Sequence, residues 1–456
     1  MIDFKTNKTF CPYFFKGAMI DSNKNVTPCC RFDDAESLSV ESRTKVQESG
    51  SPFIFNDIWS TSRKKVLNGE TIPGCHKCYR QEAEGNMSMR TSAIKNFMET
   101  KLLMHYDAKA EKGLSSTSRG PSGLKEDIAN VRLEYLEIET GRYCNLKCRS
   151  CGPNLSTSWD EDLIKDKRAE VNFYGNDIKQ FKYKQSLPKI NWILSNLTYD
   201  DCKHLKELKV TGGEPFLSDA FLKFLSNMVE WNLAENIILD IFTNCSFFPK
   251  EKYRDMLPKF KNVLINLSLD GTGNRAEFMR KKSKWRVVEQ VSTYWEELAL
   301  ESPSVNLAIS HTVGIFNILY FEEFVLWCNK HFDSKTLQES PLSSFLQAIP
   351  VYGPLYLCVT NFSDSSKDKI VQQLEQQWER VKAQLLVNKN KKFWWYINVE
   401  DSYKKLTKYV KGPMTKEYQG QEGCKKEFIE KTEMFDEIRN ENWKEVFPEL
   451  VEMLND

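Results

Sequence analysis

Residues 144–151 read Cys-Asn-Leu-Lys-Cys-Arg-Ser-Cys and place three cysteines in a C-x3-C-x2-C pattern. A closed structural zinc site needs four protein ligands, and an iron–sulfur cluster held entirely by protein also needs four. Three thiolates on one tight loop would leave a coordination position for an exogenous ligand. The alternatives are a zinc site completed by a distant histidine, or no metal, and none of the five histidines lies within residues 106–203. The spacing favours a metal or cluster site.

The chain has 456 residues, 13 cysteines and a net charge of +1. Its N-terminus lacks the apolar stretch of a signal peptide, and no run of roughly 20 apolar residues could span a bilayer. We therefore expect a cytoplasmic protein with no membrane partner, in which thiols stay reduced and disulfides are rare. A hydrophobic content of 41% argues against wholesale disorder. The balanced charge gives no positive sign of a nucleic-acid substrate.

A second group of cysteines lies near the N-terminus, at Cys11, at the pair Cys29–Cys30, and at Cys75 and Cys78 in a C-x2-C spacing. On spacing alone this group suits a structural zinc ion as well as a cluster. The remaining cysteines stand alone in the sequence, and we expect them to be ordinary buried side chains. They are Cys202, Cys245, Cys328, Cys358 and Cys424.

Strand-like runs alternate with amphipathic helical patterns through the middle of the chain. The predicted strands are Val131–Glu139, Leu205–Thr211, Ile237–Thr243, Val263–Asp270, Val305–Val313 and Leu346–Val359. Such alternation predicts an α/β fold with a parallel sheet, either doubly wound or a barrel. With about six β/α units, it would be a partial (β/α)6 barrel of the TIM type. The predicted divisions are a Cys-rich module at 1–107, a Ser/Gly/Lys-rich linker at 108–129, a core at 130–362 and a mainly helical region at 363–456.

Polar and glycine residues cluster at the carboxyl ends of the predicted strands, where ligands bind in such folds. Each is weak evidence by itself, because Gly-Gly and Asp-Gly are common in tight turns. Their shared placement at one end of one sheet predicts a binding site. They are Gly212, Gly213 and Glu214 after the second strand, Thr243 and Asn244 at the third, and Ser268 and Asp270 at the fourth.

The sequence resembles the radical S-adenosylmethionine (SAM) enzymes over about residues 130–360. Cys144, Cys148 and Cys151 match the loop that in this family holds a [4Fe–4S] cluster and leaves one iron for SAM. Residues 211–215, Thr-Gly-Gly-Glu-Pro, match the second signature, which contacts the amino group of SAM. Thr243-Asn244-Cys245 and Ser268-Leu269-Asp270-Gly271 resemble the segments of the third and fourth strands. The resemblance implies that Thr243, Asn244, Ser268 and Asp270 contact the SAM ribose or carboxylate, with Arg280 and Asn317 as weaker candidates.

Two positions depart from the pattern of the family. Ser150 stands where an aromatic residue usually packs near the adenine, so no residue is assigned to the adenine contact. Cys245 stands where the family has glycine.

The N-terminal segment resembles the auxiliary-cluster module called SPASM, or its shorter twitch form. The resemblance implies an auxiliary [4Fe–4S] cluster held by Cys11, Cys29, Cys75 and Cys78, with Cys29 favoured over Cys30. Beside a radical SAM core, a cluster is favoured over zinc. The module in similar enzymes either transfers an electron to or from the substrate radical or supports the fold. The C-terminal stretch from Phe435 through Pro448 also resembles the tails of twitch-type proteins.

The resemblance implies an enzyme that cleaves SAM to a 5′-deoxyadenosyl radical and removes a hydrogen atom from a substrate. A peptide or protein substrate is expected first, and a small molecule such as a sugar, dehydrogenated or epimerised, is the alternative. A non-catalytic zinc- or cluster-binding regulator is less favoured, because the cysteine loop and Gly-Gly-Glu-Pro are both present. The chemistry also needs a one-electron reductant such as flavodoxin or ferredoxin.

Overall fold

The computed structural model describes most of the chain. The described residues are 7–21, 25–32, 44–45, 60–83, 87–95, 132–153, 155–166, 168, 194–337, 342–386, 393–413 and 421–455. The predicted linker at 108–129 lies outside them.

The strands are labelled in chain order. They are β1 Gly17–Ile20, β2 Asn25–Thr27, β3 Thr44–Lys45, β4 Tyr135–Glu139, β5 Lys147–Cys148, β6 Glu207–Thr211, β7 Ile238–Thr243, β8 Asn262–Ser268, β9 Arg280–Lys281, β10 Val305–Val313 and β11 Leu346–Pro350.

The helices are labelled in the same way. They are α1 Tyr13–Lys16, α2 Ser60–Leu67, α3 His76–Ala83, α4 Asp160–Lys165, α5 Tyr199–Cys202, α6 Asp219–Glu230, α7 Lys252–Met256, α8 Gly273–Met279, α9 Trp285–Glu301, α10 Phe321–His331, α11 Asp364–Leu386, α12 Phe393–Val410, α13 Gln421–Arg439, α14 Trp443–Val446 and α15 Pro448–Asn455.

The chain divides into two compact units. The first comprises Met1–Thr140, Ser186–Thr211 and Lys223–Ile238. Its strands lie in the order β3-β2-β1-β4-β6. The pairs β1–β4 and β4–β6 are parallel, whereas β1–β2 and β2–β3 are antiparallel. The N-terminal cysteine group belongs to this unit.

The second unit comprises Gly141–Gln185, Gly212–Leu222 and Leu239–Asp456. Its larger set of strands runs in the order β7-β8-β10-β11, with β10 parallel to both of its neighbours. The short strands β5 and β9 form a separate antiparallel pair. The described chain thus has an α/β fold with mostly parallel strand pairs, as the sequence predicts.

The core of the second unit positions the segment that follows β6. Phe216 is buried, and its ring centroid lies 4.8 Å from that of Tyr253 and 5.0 Å from that of Trp295. Aromatic side chains of this size dominate the burial energy of a core. Because Phe216 stands two residues after Glu214, this packing anchors the predicted second motif.

The predicted strand at Leu346–Val359 is wrong beyond Pro350. Short 3-10 turns occupy Leu355–Leu357 and Val359–Asn361, and they bury apolar side chains. Pro350 and Pro354 cannot donate to a strand ladder, so the sheet does not continue through them. A buried apolar turn has the same composition as a strand, which explains the error. By contrast, β10 matches its predicted bounds at both ends.

Among the described residues, no helix is both long and apolar enough to cross a membrane. The domain boundaries predicted at 107, 129 and 362 stay predictions.

Candidate functional site

The three-cysteine loop opens the second unit. Its central cysteine, Cys148, belongs to β5, and in the antiparallel strand pairing it lies opposite Arg280 of β9. The amide of Cys151 donates to the carbonyl of Cys148 at 3.1 Å and closes a turn. The side chain of Ser158 donates to the carbonyl of Cys144 at 2.9 Å. The sequence spacing therefore becomes one compact loop whose backbone is pinned near each cysteine.

The three thiols share a half-buried environment. Burial raises the pKa of each thiol, and that of Cys148 to about 12. Repulsion between thiolates raises the pKa of Cys151 further, whereas the Arg280 guanidinium lowers the pKa of Cys148. The thiols are therefore protonated at neutral pH. Binding a metal centre would release protons, because only thiolates act as ligands.

The donor set decides what kind of centre fits this loop. In the part of the chain that the structure describes, no three His, Cys, Asp or Glu side chains are gathered to hold a single metal ion. Thiolates are the ligands of iron–sulfur clusters. The three thiols lie on one loop and affect one another's pKa values. They fit the three protein ligands of a cluster with an open position.

The second motif packs against Gly141 and Tyr143, the residues that lead into the cysteine loop. The amide of Gly213 donates to the carbonyl of Gly141 at 2.5 Å, and that of Glu214 donates to the carbonyl of Tyr143 at 2.8 Å. A Cβ atom on Gly213 would come closer than 3.0 Å to the backbone of Tyr143. Gly212 adopts a φ of 112°, which only glycine reaches easily. These glycines therefore let the backbone of the second motif lie directly against the segment that leads into the cysteine loop.

Glu214 is buried, and donors of the chain itself occupy its carboxylate. One oxygen accepts from the Thr243 hydroxyl at 3.0 Å, and the other accepts from the amide of Asn244 at 2.7 Å. It also accepts from the amide of Phe216 at 3.4 Å, capping the 3-10 turn that follows. Burial raises the pKa of Glu214 to about 7. Glu214 thus joins the second motif to the end of β7.

Asn244 connects the end of β7 to the cysteine loop. Its side-chain amide nitrogen, Nδ2, lies 3.6 Å from Cys144 Sγ and 3.0 Å from Asn145 Oδ1. Asn145 in turn donates to the Ser246 hydroxyl at 2.7 Å. Cys245 adopts a φ of 55°, the left-handed conformation that its glycine counterpart in the family would reach without strain. The structure thus brings Asn244 to a candidate cluster ligand, and Asn145 and Ser246 are partners that the sequence analysis missed.

The end of β8 carries an ion pair beside the loop. Asp270 is 1% exposed and pairs with Arg280 at 2.8 Å, while its other oxygen accepts from the amide of Thr312 at 3.0 Å. Asn317 donates to the backbone carbonyl of Asp270 at 2.8 Å. Ser268 lies half-buried at the end of β8. Of the cations that lower the pKa of Cys148, Arg280 has the largest effect, and it stays a candidate.

The N-terminal cysteines come from separate elements and line one cavity. Cys11 precedes α1, Cys29 follows β2, Cys75 ends the 3-10 turn Pro73–Cys75, and Cys78 lies in α3. Burial raises the pKa of Cys75 to about 12 and those of Cys11 and Cys29 above their usual range, and mutual thiolate repulsion adds to each. Four thiols around one cavity fit a fully protein-ligated cluster.

Cys30 is placed differently from its neighbour Cys29. It does not line the cavity, and its Sγ lies 3.9 Å from Sδ of Met89. The placement supports the choice of Cys29 as the ligand.

Other residues of the N-terminal unit hold the segments around the cavity, and two of them, Gly74 and Arg90, line it themselves. Arg90 pairs with Glu82 and donates to the carbonyl of Phe10 at 2.8 Å, and Arg63 donates to the carbonyl of Phe14 at 3.2 Å. A Cβ atom on Gly74 would lie 2.6 Å from the ring of Phe32, which lines the cavity.

Comparisons with known proteins give partial similarities. No protein-family model matches the chain. It is 26% identical over 144 residues to the GTP 3′,8-cyclase of Helicobacter pylori strain HPAG1, covering 32% of this chain and 37% of that protein. The GTP 3′,8-cyclase of a second H. pylori strain is 25% identical over 147 residues, with the same coverage. The chain thus spans little more than a third of the length of these relatives.

Solved structures show weaker likenesses. Native anSMEcpe with bound AdoMet is 20% identical, with 53% of this chain and 58% of that chain covered and a TM-score of 0.32. Streptococcus suis SuiB bound to S-adenosylmethionine is 15% identical, with 66% and 60% covered and a TM-score of 0.30. At these TM-scores the likeness supports no conclusion about this chain.

Proposed function

We propose that this protein is a radical SAM enzyme. The observation that carries the proposal is the packing of three sequence motifs into one site. The second motif contacts Gly141 and Tyr143, which lead into the cysteine loop, and Asn244 of the third motif contacts the loop itself at Cys144 and Asn145. The similarity to two GTP 3′,8-cyclases supports the assignment. A [4Fe–4S] cluster at Cys144, Cys148 and Cys151, when bound, supplies the electron that cleaves SAM to methionine and a 5′-deoxyadenosyl radical.

The residues of the site bind and orient the reactants. The three thiolates would hold the cluster and leave one coordination position for SAM. The carboxylate of Glu214 is oriented by Thr243 and Asn244, and it can bind the positive amino group of SAM through a charge-assisted hydrogen bond. Arg280 remains a candidate partner for the SAM carboxylate, held in place by Asp270.

The remaining candidates carry smaller parts of the proposal. Ser268 and Asn244 stay candidates for contacts with the ribose. The partial-barrel form of the fold also stays a prediction.

An auxiliary [4Fe–4S] cluster at Cys11, Cys29, Cys75 and Cys78 completes the proposal. The four thiols around one cavity support it, and so does the resemblance to SPASM and twitch modules. All four ligands come from protein, so the centre is suited to electron transfer or to support of the module. A peptide or protein substrate follows from the same resemblance. A cytoplasmic location would give access to a flavodoxin- or ferredoxin-type reductant.

The test compares anaerobically purified wild-type protein with the triple variant in which Cys144, Cys148 and Cys151 are changed to Ala. We expect the wild type to hold about eight irons, as two four-iron clusters, and the variant about four. Under strong reduction the wild type forms 5′-deoxyadenosine and the variant forms none. Stoichiometric zinc without iron in the variant would contradict the auxiliary cluster. A wild type that binds no cluster and never cleaves SAM would contradict the enzymatic function.

A further inference from the structure

Arg149, which lies between Cys148 and Cys151 in the cysteine loop, is tied to the C-terminal region. Its side chain is 4% exposed and pairs with Asp436 of α13 and with Glu441, the latter at 2.8 Å. The guanidinium carbon also stacks 3.9 Å from the ring centroid of Phe278. With its charge matched by two acids and its plane against an aromatic ring, Arg149 serves as an anchor and not as a substrate contact.

Lys147, on the other side of Cys148, reaches the same helix through an intermediate acid. It pairs with Asp162, a fully buried residue of α4. Asp162 accepts a hydrogen bond from Arg439 of α13 at 2.7 Å. Arg439 packs over the ring of Trp159 at 4.5 Å. Both chain neighbours of Cys148 are therefore connected to α13.

The strand that pairs with Cys148 has the same connection. Lys281 of β9 pairs with Glu441 at 2.9 Å. Because β5 and β9 have two residues each, their ladder alone gives the loop little rigidity. Glu441 holds both Arg149 and Lys281, and so it fixes the loop and its partner strand together.

Buried ion pairs of this kind are poor sources of net stability, since apolar residues of the same volume often serve as well. What they provide is a fixed geometry, because each guanidinium matches its carboxylates in one orientation. We propose that α13 and the turn after it form part of the cluster-binding unit, with Asp436 and Glu441 as positioning residues. Acting through Arg149, they hold Cys148 and Cys151 in the arrangement that the SAM-responsive cluster needs. The inference rests on the proposed function.

The test uses full-length, anaerobically reconstituted Asp436→Asn and Glu441→Gln variants, with Glu433→Gln as the matched control. Glu433 lies on the same helix, but its ion pair with Lys444 is exposed. Two properties are measured: the electron paramagnetic resonance spectrum of the reduced protein with and without SAM, and the rate at which a chelator removes iron. We expect both test variants to give a broadened SAM-dependent signal and several-fold faster iron release. Glu433→Gln should behave as wild type, and Asp436→Glu should restore the signal in part.

Wild-type spectra and release rates in both test variants would overturn the inference, even if their melting temperatures fall, because the ion pairs would then be purely structural. If Asp436→Asn does not fold, the result for Glu441→Gln tests the inference, because this variant keeps the ion pair between Asp436 and Arg149. A wild type with no SAM-responsive signal would instead contradict the proposed function and the inference with it. A normal wild type with unaffected variants contradicts the inference alone.

Discussion

The two cysteine groups hold their thiols by different means. The loop at 144–151 takes three cysteines from one short segment and fixes them by hydrogen bonds and buried ion pairs. The N-terminal group takes four cysteines from separate elements around a cavity lined by aromatic and apolar side chains. A contiguous loop leaves one side of a cluster open to a ligand, whereas four dispersed ligands can surround it. The difference suggests an open centre for chemistry in one group and a closed centre in the other.

The largest effect is expected from Cys148→Ala, which removes the central ligand of the open centre. Formation of 5′-deoxyadenosine under strong reduction should fall by at least about a hundredfold, equivalent to about 2.7 kcal/mol in the barrier. The auxiliary cluster should remain. Cys328→Ala, at a buried cysteine outside both groups, is the control and should retain activity. Equal loss in both variants would mean that the cysteine loop has no special role.

A second comparison tests which cysteines of the N-terminal group hold the closed centre. Cys75→Ala should remove about four irons, because a cluster of this type needs all its protein ligands. Cys30→Ala should keep them, since Cys30 does not line the cavity. Iron and sulfide analysis of both anaerobically purified variants measures the outcome. Loss of iron in Cys30→Ala would contradict the choice of Cys29 over Cys30, and retention of iron in Cys75→Ala would contradict Cys75 as a ligand.

Gly213→Ala should damage the open centre through packing alone. Its new Cβ would overlap the backbone of Tyr143, an overpacking that costs about 1–3 kcal/mol. Gly271→Ala is the matched control, because its Cβ would meet no atom closer than 3.7 Å. Calorimetric titration with SAM should show weakened binding in the first variant only. Unchanged binding in Gly213→Ala would show that the close approach is dispensable.

The last effect concerns stability and not activity, and it lies in the pH dependence at Glu214. Its pKa of about 7 in the folded protein lies above the usual value near 4.5, so the folded state binds the proton more tightly than the unfolded state. Stability therefore falls as pH rises from about 4.5 to 7, by up to about 3 kcal/mol.

The glutamine in Glu214→Gln cannot ionise, so this variant should not lose stability through this group as pH rises. Chemical denaturation of the apo protein at pH 5 and pH 8 should show a larger decline in wild type than in the variant. Parallel pH profiles would contradict the buried-carboxylate account.

Sequence predicted the elements that depend on local pattern. Val305–Val313 was predicted with its correct bounds because its alternating β-branched run is bounded by turn residues. The cysteine loop and Gly213 were recognisable because their spacing is local. The C-terminal anchors were not, since Glu441 lies 292 residues from Arg149 and resembles any surface acid in the sequence. Long-range ion pairs leave no periodic signal, so only the folded chain reveals them.

The central claim is that Cys144, Cys148 and Cys151 hold a cluster that binds SAM. The most direct test is electron paramagnetic resonance of the reduced wild-type protein, recorded with and without SAM, alongside analysis for 5′-deoxyadenosine. The account predicts a [4Fe–4S] signal that shifts on addition of SAM, with 5′-deoxyadenosine formed over time. A reconstituted protein whose spectrum does not respond to SAM and that forms no 5′-deoxyadenosine would contradict it.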